Sequence, residues 1–172
     1  MGMADILRLT AVLLAAVLLQ SAVMSQFPIL GVTADLFLII VVMVALSRGS
    51  MTGAMYGAVV GLLADVVFME PLGMRVILYV AVGYGLGRFG EEFHPAGVGL
   101  LALIVVVASI ITQTGYGLFV YITSPEGMFF TMLRLQIIPE ALVDGLLAVP
   151  VYILLVRTRV VPGPETEVTL FS

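Results

Sequence analysis

The chain of 172 residues has no cysteine, no tryptophan and no lysine, and a single histidine. Without cysteine there can be no disulfide, thiolate nucleophile, iron–sulfur cluster or cysteine-bound zinc. Without tryptophan, an aromatic belt at a membrane surface has to be built from Tyr and Phe. All seven basic residues are Arg and the net charge is −4 at pH 7, so the chain lacks the basic face that nucleic-acid binding requires. The deepest shortage is of charge itself, at 10% of residues. So few charged side chains cannot coat a soluble domain of this size, which excludes an ordinary soluble fold, a disordered chain and a coiled coil.

What fills the chain is apolar: 62% of residues, against roughly 45–50% in soluble domains, with a mean hydropathy of +1.23. A helix crossing the hydrocarbon core needs about 20 predominantly apolar residues. Six segments qualify: Ile6–Met24, Ile29–Leu46, Met51–Met69, Met74–Phe89, Gly97–Ile122 and Ile137–Val156. The fourth is the shortest and the richest in glycine. The breaks between them carry turn residues: Gln26-Phe27-Pro28, Ser47-Arg48-Gly49-Ser50, Glu70-Pro71-Leu72-Gly73, the stretch from Arg88 to Pro95, and Ser124-Pro125-Glu126-Gly127. The first run resembles a signal peptide in having Arg8 ahead of it. Its nearly neutral start, with Asp5, and the runs that follow favour a retained first span.

The sequence thus predicts an all-α integral membrane protein of six spans, one domain over residues 1–160 and a short polar tail over 161–172. Arg8, Arg48, Arg88, Arg157 and Arg159 fall on one side of that topology, and Arg75 and Arg134 on the other. Five against two places both termini in the cytoplasm.

That orientation puts the intramembrane polar residues in one leaflet, the outer. They are Gln20 with Ser21, Asp35, Asp65, Gln113 with Thr114, and Glu140 with Asp144. Charges in lipid cost roughly 2.5–3.5 kcal/mol each even on the lenient insertion scale, so these groups should face the bundle interior. Asp35 and Glu140 open helices, where a carboxylate is favoured, and Pro139 suits a first turn. Asp65 closes one, where an anion is disfavoured, so it most needs a partner, with Arg75 and Arg134 as candidates. Two readings stand: a binding vestibule open to the outside, or a set of stitches between helix ends.

Gly53, Gly57 and Gly61 recur every four residues, with Asp65 next in the series. Such a stripe lets helix backbones approach closely in lipid and predicts that the third helix packs centrally. Ala11 and Ala15 form a weaker stripe on the first helix, suited to a contact with another protein, and Gly83 and Gly87 mark the fourth. Pro150 should kink the last helix.

Several patterns imitate chemistry. Gly85-Leu86-Gly87-Arg88-Phe89-Gly90 spells G-x-G-x-x-G, but it precedes another span and no acidic residue occurs from Phe93 to Pro125. Glu91, Glu92 and His94 are a weak metal set, better read as a solvated loop. Glu140 and Asp144 share a helix face and are placed to share a proton or a cation. No serine sits in a G-x-S-x-G elbow. The reading is of no catalytic residue, no metal and no cofactor.

The order of several short stretches resembles one family. Gly31-Val32-Thr33-Ala34-Asp35-Leu36 is followed by Gly53-x3-Gly57-x3-Gly61-Leu62-Leu63-Ala64-Asp65 and then Pro71-Leu72-Gly73. Near the end come Glu140 to Tyr152 (EALVDGLLAVPVY) and Leu154-Leu155-Val156-Arg157. Together they resemble the rod shape-determining protein MreD family, from the first helix to Arg159. Members often carry Pro where this chain has Ala34 and Asn where it has Asp144. The resemblance implies a non-enzymatic inner-membrane subunit of the bacterial elongation machinery, working with MreC, MreB, RodA and its penicillin-binding transpeptidase. It also implies a fold similar to the S components of energy-coupling-factor transporters. That leaves a rival reading: a carrier of a small vitamin-like solute held near Asp35, Asp65, Gln113 and Asp144. A proton- or cation-linked carrier using Asp65 and Asp144 is a third.

Overall fold

A computed structural model describes residues 3–21, 33–69, 71–93, 97–123, 136–158 and 160–161. The secondary structure of these residues is entirely helical, in six helices: α1 Met3–Leu19, α2 Leu36–Arg48, α3 Ser50–Val67, α4 Met74–Phe93, α5 Val98–Thr123 and α6 Ile138–Arg157. Three of them, α3, α5 and α6, are long and apolar enough to cross a membrane. Leu62 and Val66 on α3, Leu103 and Ile111 on α5, and Leu146 and Ile153 on α6 are exposed, as side chains facing lipid would be.

The helix at the centre is α2, not α3 as the glycine stripe suggested. Every residue from Leu36 to Ala45 is buried, and α2 touches each of the other five helices. The reason lies in its sequence, LFLIIVVMVALSR, which has no polar face to turn outward before Ser47. At 13 residues it is about 20 Å long, well short of the roughly 30 Å hydrocarbon core. Of the span expected over 29–46, residues 29–32 lie outside the described residues and helix begins only at Leu36, after Asp35 has capped it.

Gly49 separates α2 from α3 at φ +87° and ψ 176°, a backbone region that is essentially closed to residues with a Cβ. Glu91, on the last turn of α4, then accepts hydrogen bonds from the Ser50 N–H at 2.7 Å and the Ser50 hydroxyl at 3.0 Å. This caps the start of α3 and holds the Glu91 carboxyl below its ordinary range. It also corrects the expectation of a loop from Arg88. Helix continues to Phe93, with an Arg88–Glu92 ion pair one turn apart at 3.3 Å; His94 and Pro95 lie outside the described residues. Arg48 reaches from the end of α2 to the Val160 carbonyl, at 3.0 Å from Nη2, and so ties down the turn after α6.

α3 and α4 run antiparallel with their backbones touching. A Cβ added at Gly53 would collide with the Gly83 carbonyl, at Gly57 with the Tyr79 carbonyl, and at Gly61 with the backbone of Arg75 and Val76. Gly87 and Gly90 of the G-x-G-x-x-G stretch lie in the same way against Ser50 and Leu46. Those glycines are helix-packing positions rather than a phosphate-cradling turn. Gly85 differs, since a side chain there would meet open space.

α1 is the most lightly held helix. Leu9, Leu13 and Ala16 face the core, and the Tyr56 hydroxyl donates to the Leu9 carbonyl at 3.3 Å. Ala11 and Ala15 are on its exposed side, with Leu7, Leu14 and Leu18. Pro150 lies inside α6, as its position in the sequence requires.

Candidate functional site

The polar side chains gather at the end of the bundle where α2, α4 and α6 begin. The physical cause is the start of α2. The first turn of any helix has N–H groups with no partner inside the helix, and a short central helix buries them. Three such donors are met by side chains from three places. The Asp35 N–H donates to Asp144 Oδ1 of α6 at 2.8 Å. The Leu36 N–H donates to Gln20 Oε1, just past α1, at 3.2 Å. The Leu38 N–H donates to Asp35 Oδ1, the cap itself, at 3.0 Å. The Gln20 amide nitrogen also donates to the Ala34 carbonyl at 2.8 Å, so one carboxamide grips the strand of backbone entering α2 from both sides.

Asp65 solves the same problem for α4. Its two oxygens accept from the Gly73 N–H at 2.6 Å and the Arg75 N–H at 2.9 Å. An anion at the end of α3 is thereby turned onto the favourable start of the next helix. The guanidinium of Arg75 goes elsewhere: Nη1 donates to Asp35 Oδ2 at 2.6 Å. The Tyr79 hydroxyl, one turn along, donates to the same oxygen. The guanidinium carbon stands 4.2 Å from the centre of the Phe68 ring and 5.7 Å from that of Tyr116, where the ring faces favour a cation. The sequence offered Arg75 and Arg134 as partners for Asp65. Arg75 serves Asp65 by its backbone and Asp35 by its side chain, and Arg134 lies outside the described residues.

α5 and α6 are joined in antiparallel register. The Ser109 hydroxyl donates to Asp144 Oδ2 at 2.6 Å, and one turn further the Gln113 amide donates to Glu140 Oε1. Glu140 and Asp144, placed by sequence to share a proton or a cation, each bond a different residue of α5. Above Asp144, Gly145 leaves room for the Val106 side chain.

The structure therefore links Arg75, Tyr79, Asp35, Asp144 and Ser109 in one chain of hydrogen bonds, with Gln20 holding the backbone on either side of Asp35, Asp65 beside it and Gln113–Glu140 as a separate rung on α5 and α6. Ser21 bonds the Val17 carbonyl of its own helix at 2.7 Å. Among the described residues no buried polar side-chain atom lacks a hydrogen-bond partner. Sequence reasoning missed Tyr79 and Ser109. Both carried a signal: Tyr79 lies one turn after Arg75, and Ser109 one turn before Gln113. The candidate metal set is divided, with Glu91 on Ser50, Glu92 on Arg88, and His94 outside the described residues.

The family model described as rod shape-determining protein MreD matches residues 3–158. No curated protein and no solved structure matches the chain.

Proposed function

The chain belongs to the MreD family, and from that premise we propose that this rod shape-determining membrane protein is a non-enzymatic subunit of the bacterial elongation machinery. It binds MreC and helps to organise RodA, its penicillin-binding transpeptidase and MreB for lateral wall synthesis. The six helices make one inner-membrane domain over residues 1–160, with the short α2 enclosed by the other five; both termini and the 161–172 tail are cytoplasmic, and the polar cluster lies in the outer half. The Arg distribution supports this orientation.

The observation that carries a scaffold over a carrier is how the polar groups are used. Gln20, Asp35, Asp65, Gln113 and Asp144 each hold a helix start or a neighbouring helix. A solute carrier needs donors and acceptors left over for cargo. On this reading the Gly53, Gly57 and Gly61 stripe builds the subunit, and the exposed Ala11 and Ala15 face of α1 offers close approach to a partner's spanning helix.

The rival is an S component of an energy-coupling-factor transporter, with a similar six-helix arrangement and a vitamin-like solute at the cluster. Purification of the tagged protein from native membranes separates the two. The scaffold reading expects MreC in the eluate. A pair of energy-coupling ATPases without MreC would overturn it.

A further inference from the structure

The turn between α3 and α4 holds a residue whose backbone and side chain make opposite demands. Phe68 closes α3, and Met69 follows at φ +55°, in the left-handed region that glycine or asparagine usually fills after a helix. Among the described residues it is the only one other than glycine with a positive φ. The same turn does use glycine where the backbone asks for it, at Gly73 with φ +99°. Packing inside the chain does not account for a methionine at 69, because the residue is 92% exposed. Leu72, three positions on, is also largely exposed.

The exposed residues of α3 are Met51, Met55, Val59, Leu62 and Val66, all apolar and each three or four positions from the last. They make one stripe along the side that faces lipid. From Met51 to Val66 it rises about 22 Å, short of the roughly 30 Å hydrocarbon core. Met69 is the next member by spacing, although the helix has ended at Val67, and it carries the stripe roughly 4 Å further. The turn is also built for an edge of lipid, where an unpaired backbone group is costly. The Phe68 and Met69 N–H groups donate to the Ala64 and Val66 carbonyls at 2.8 and 3.3 Å, and the Met74 N–H to the Pro71 carbonyl at 3.3 Å. Asp65 accepts from the N–H groups of Gly73 and Arg75, and Pro71 has no N–H to satisfy. Glu70 lies outside the described residues.

We infer that the α3–α4 turn is seated in the membrane, with Met69 and Leu72 among the lipid acyl chains just below the headgroups, and that methionine holds a left-handed position for the sake of this contact. Lipid is the occupant, not a partner protein, because Met69 extends a lipid-facing stripe that is too short without it. A flexible, unbranched thioether side chain also suits a fluid surface. The contact fixes the depth of α3 and α4 in the bilayer and leaves no free loop on this flank for a soluble partner. Lipid alone suffices for it, so it is read on the protein in a bilayer without any partner, independently of the role proposed above.

The chain has no cysteine, so Met69→Cys, Leu72→Cys and Met55→Cys each carry a single fluorescent label. Each labelled protein is placed in phosphatidylcholine nanodiscs and quenched either by iodide from the water or by lipids bearing a nitroxide at a known depth. The labels at Met69 and Leu72 should respond most to nitroxides near the headgroups, and several-fold less to iodide than the free dye does. The label at Met55, in the middle of the stripe, should respond most to nitroxides near the chain ends. Met69→Asp added to Leu72→Cys should draw the turn towards water and raise iodide quenching at Leu72. Iodide quenching at Met69 or Leu72 equal to that of the free dye, or no response there to any nitroxide lipid, would overturn the inference. So would a Leu72 label indifferent to Met69→Asp.

Discussion

The two helix pairs α3–α4 and α5–α6 do the same job by different means. In lipid, apolar side chains gain nothing by leaving the solvent, so helices adhere by close packing or by hydrogen bonds. α3 and α4 take the first route, backbone on backbone at Gly53, Gly57 and Gly61. α5 and α6 take the second, with Ser109 on Asp144 and Gln113 on Glu140 in matching register. The first seam is defined by volume and is indifferent to chemistry. The second is defined by chemistry, and at Gly145 it is the Val106 side chain rather than backbone that comes closest.

Substitutions that add volume should therefore break the first seam, and those that remove donors or acceptors the second. The largest effect is expected from Gly57→Leu. Its side chain would press on the backbone of Tyr79, which cannot yield as a side chain can, at a cost of about 3 kcal/mol or more. No monodisperse protein should survive extraction. Gly85→Ala is the companion: it faces open space and should be neutral or stabilise by up to about 1 kcal/mol. Equal damage from both would dissolve the distinction.

Next comes Asp144→Leu, close in size but without acceptors. It strips the Asp35 N–H and the Ser109 hydroxyl, at about 1–3 kcal/mol for each buried donor left bare, read as a fall in melting temperature in detergent. Gln113→Leu removes one donor from Glu140 and should cost about 1–2 kcal/mol by the same measurement. The smallest effect lies at the opposite end of the bundle. The Glu91 carboxyl is held below its ordinary value by Ser50, so its contribution is complete above that ordinary value and lost as pH falls through the lower, folded one. A melting-temperature titration in acid should show a slight decline that Glu91→Gln lacks.

Much of this was legible in the chain and some was not, for definite reasons. Helices and breaks follow from apolar runs and from Pro and Gly, and five of the six helices lie close to the expected segments. The roster of polar residues was legible too, because a charge in an apolar run stands out. Their pairing was not. Arg75 is nearer to Asp65 in sequence, yet its guanidinium reaches Asp35, 40 residues away, a choice set by how α2 and α4 lie together. Tyr79 went unnoticed, because a tyrosine in an apolar run does not stand out as a charge does, yet it is fully enclosed. The centrality of α2 left no periodic trace, because a helix apolar on every side has no face to reveal. The glycines of residues 85–90 misled in the other direction: a backbone that needs room for a helix spells the same letters as one that needs room for a phosphate.

The brevity of α2 also sets an order of events in biogenesis. A helix of 13 residues is too short to span the bilayer alone, and its leading N–H groups need acceptors wherever they are buried. One acceptor, Asp144, emerges from the ribosome 109 residues after the Asp35 N–H that it serves. The centre of the protein is thus translated early and completed last. Nascent chains released before α6 carry a core whose leading N–H still lacks its Asp144 acceptor.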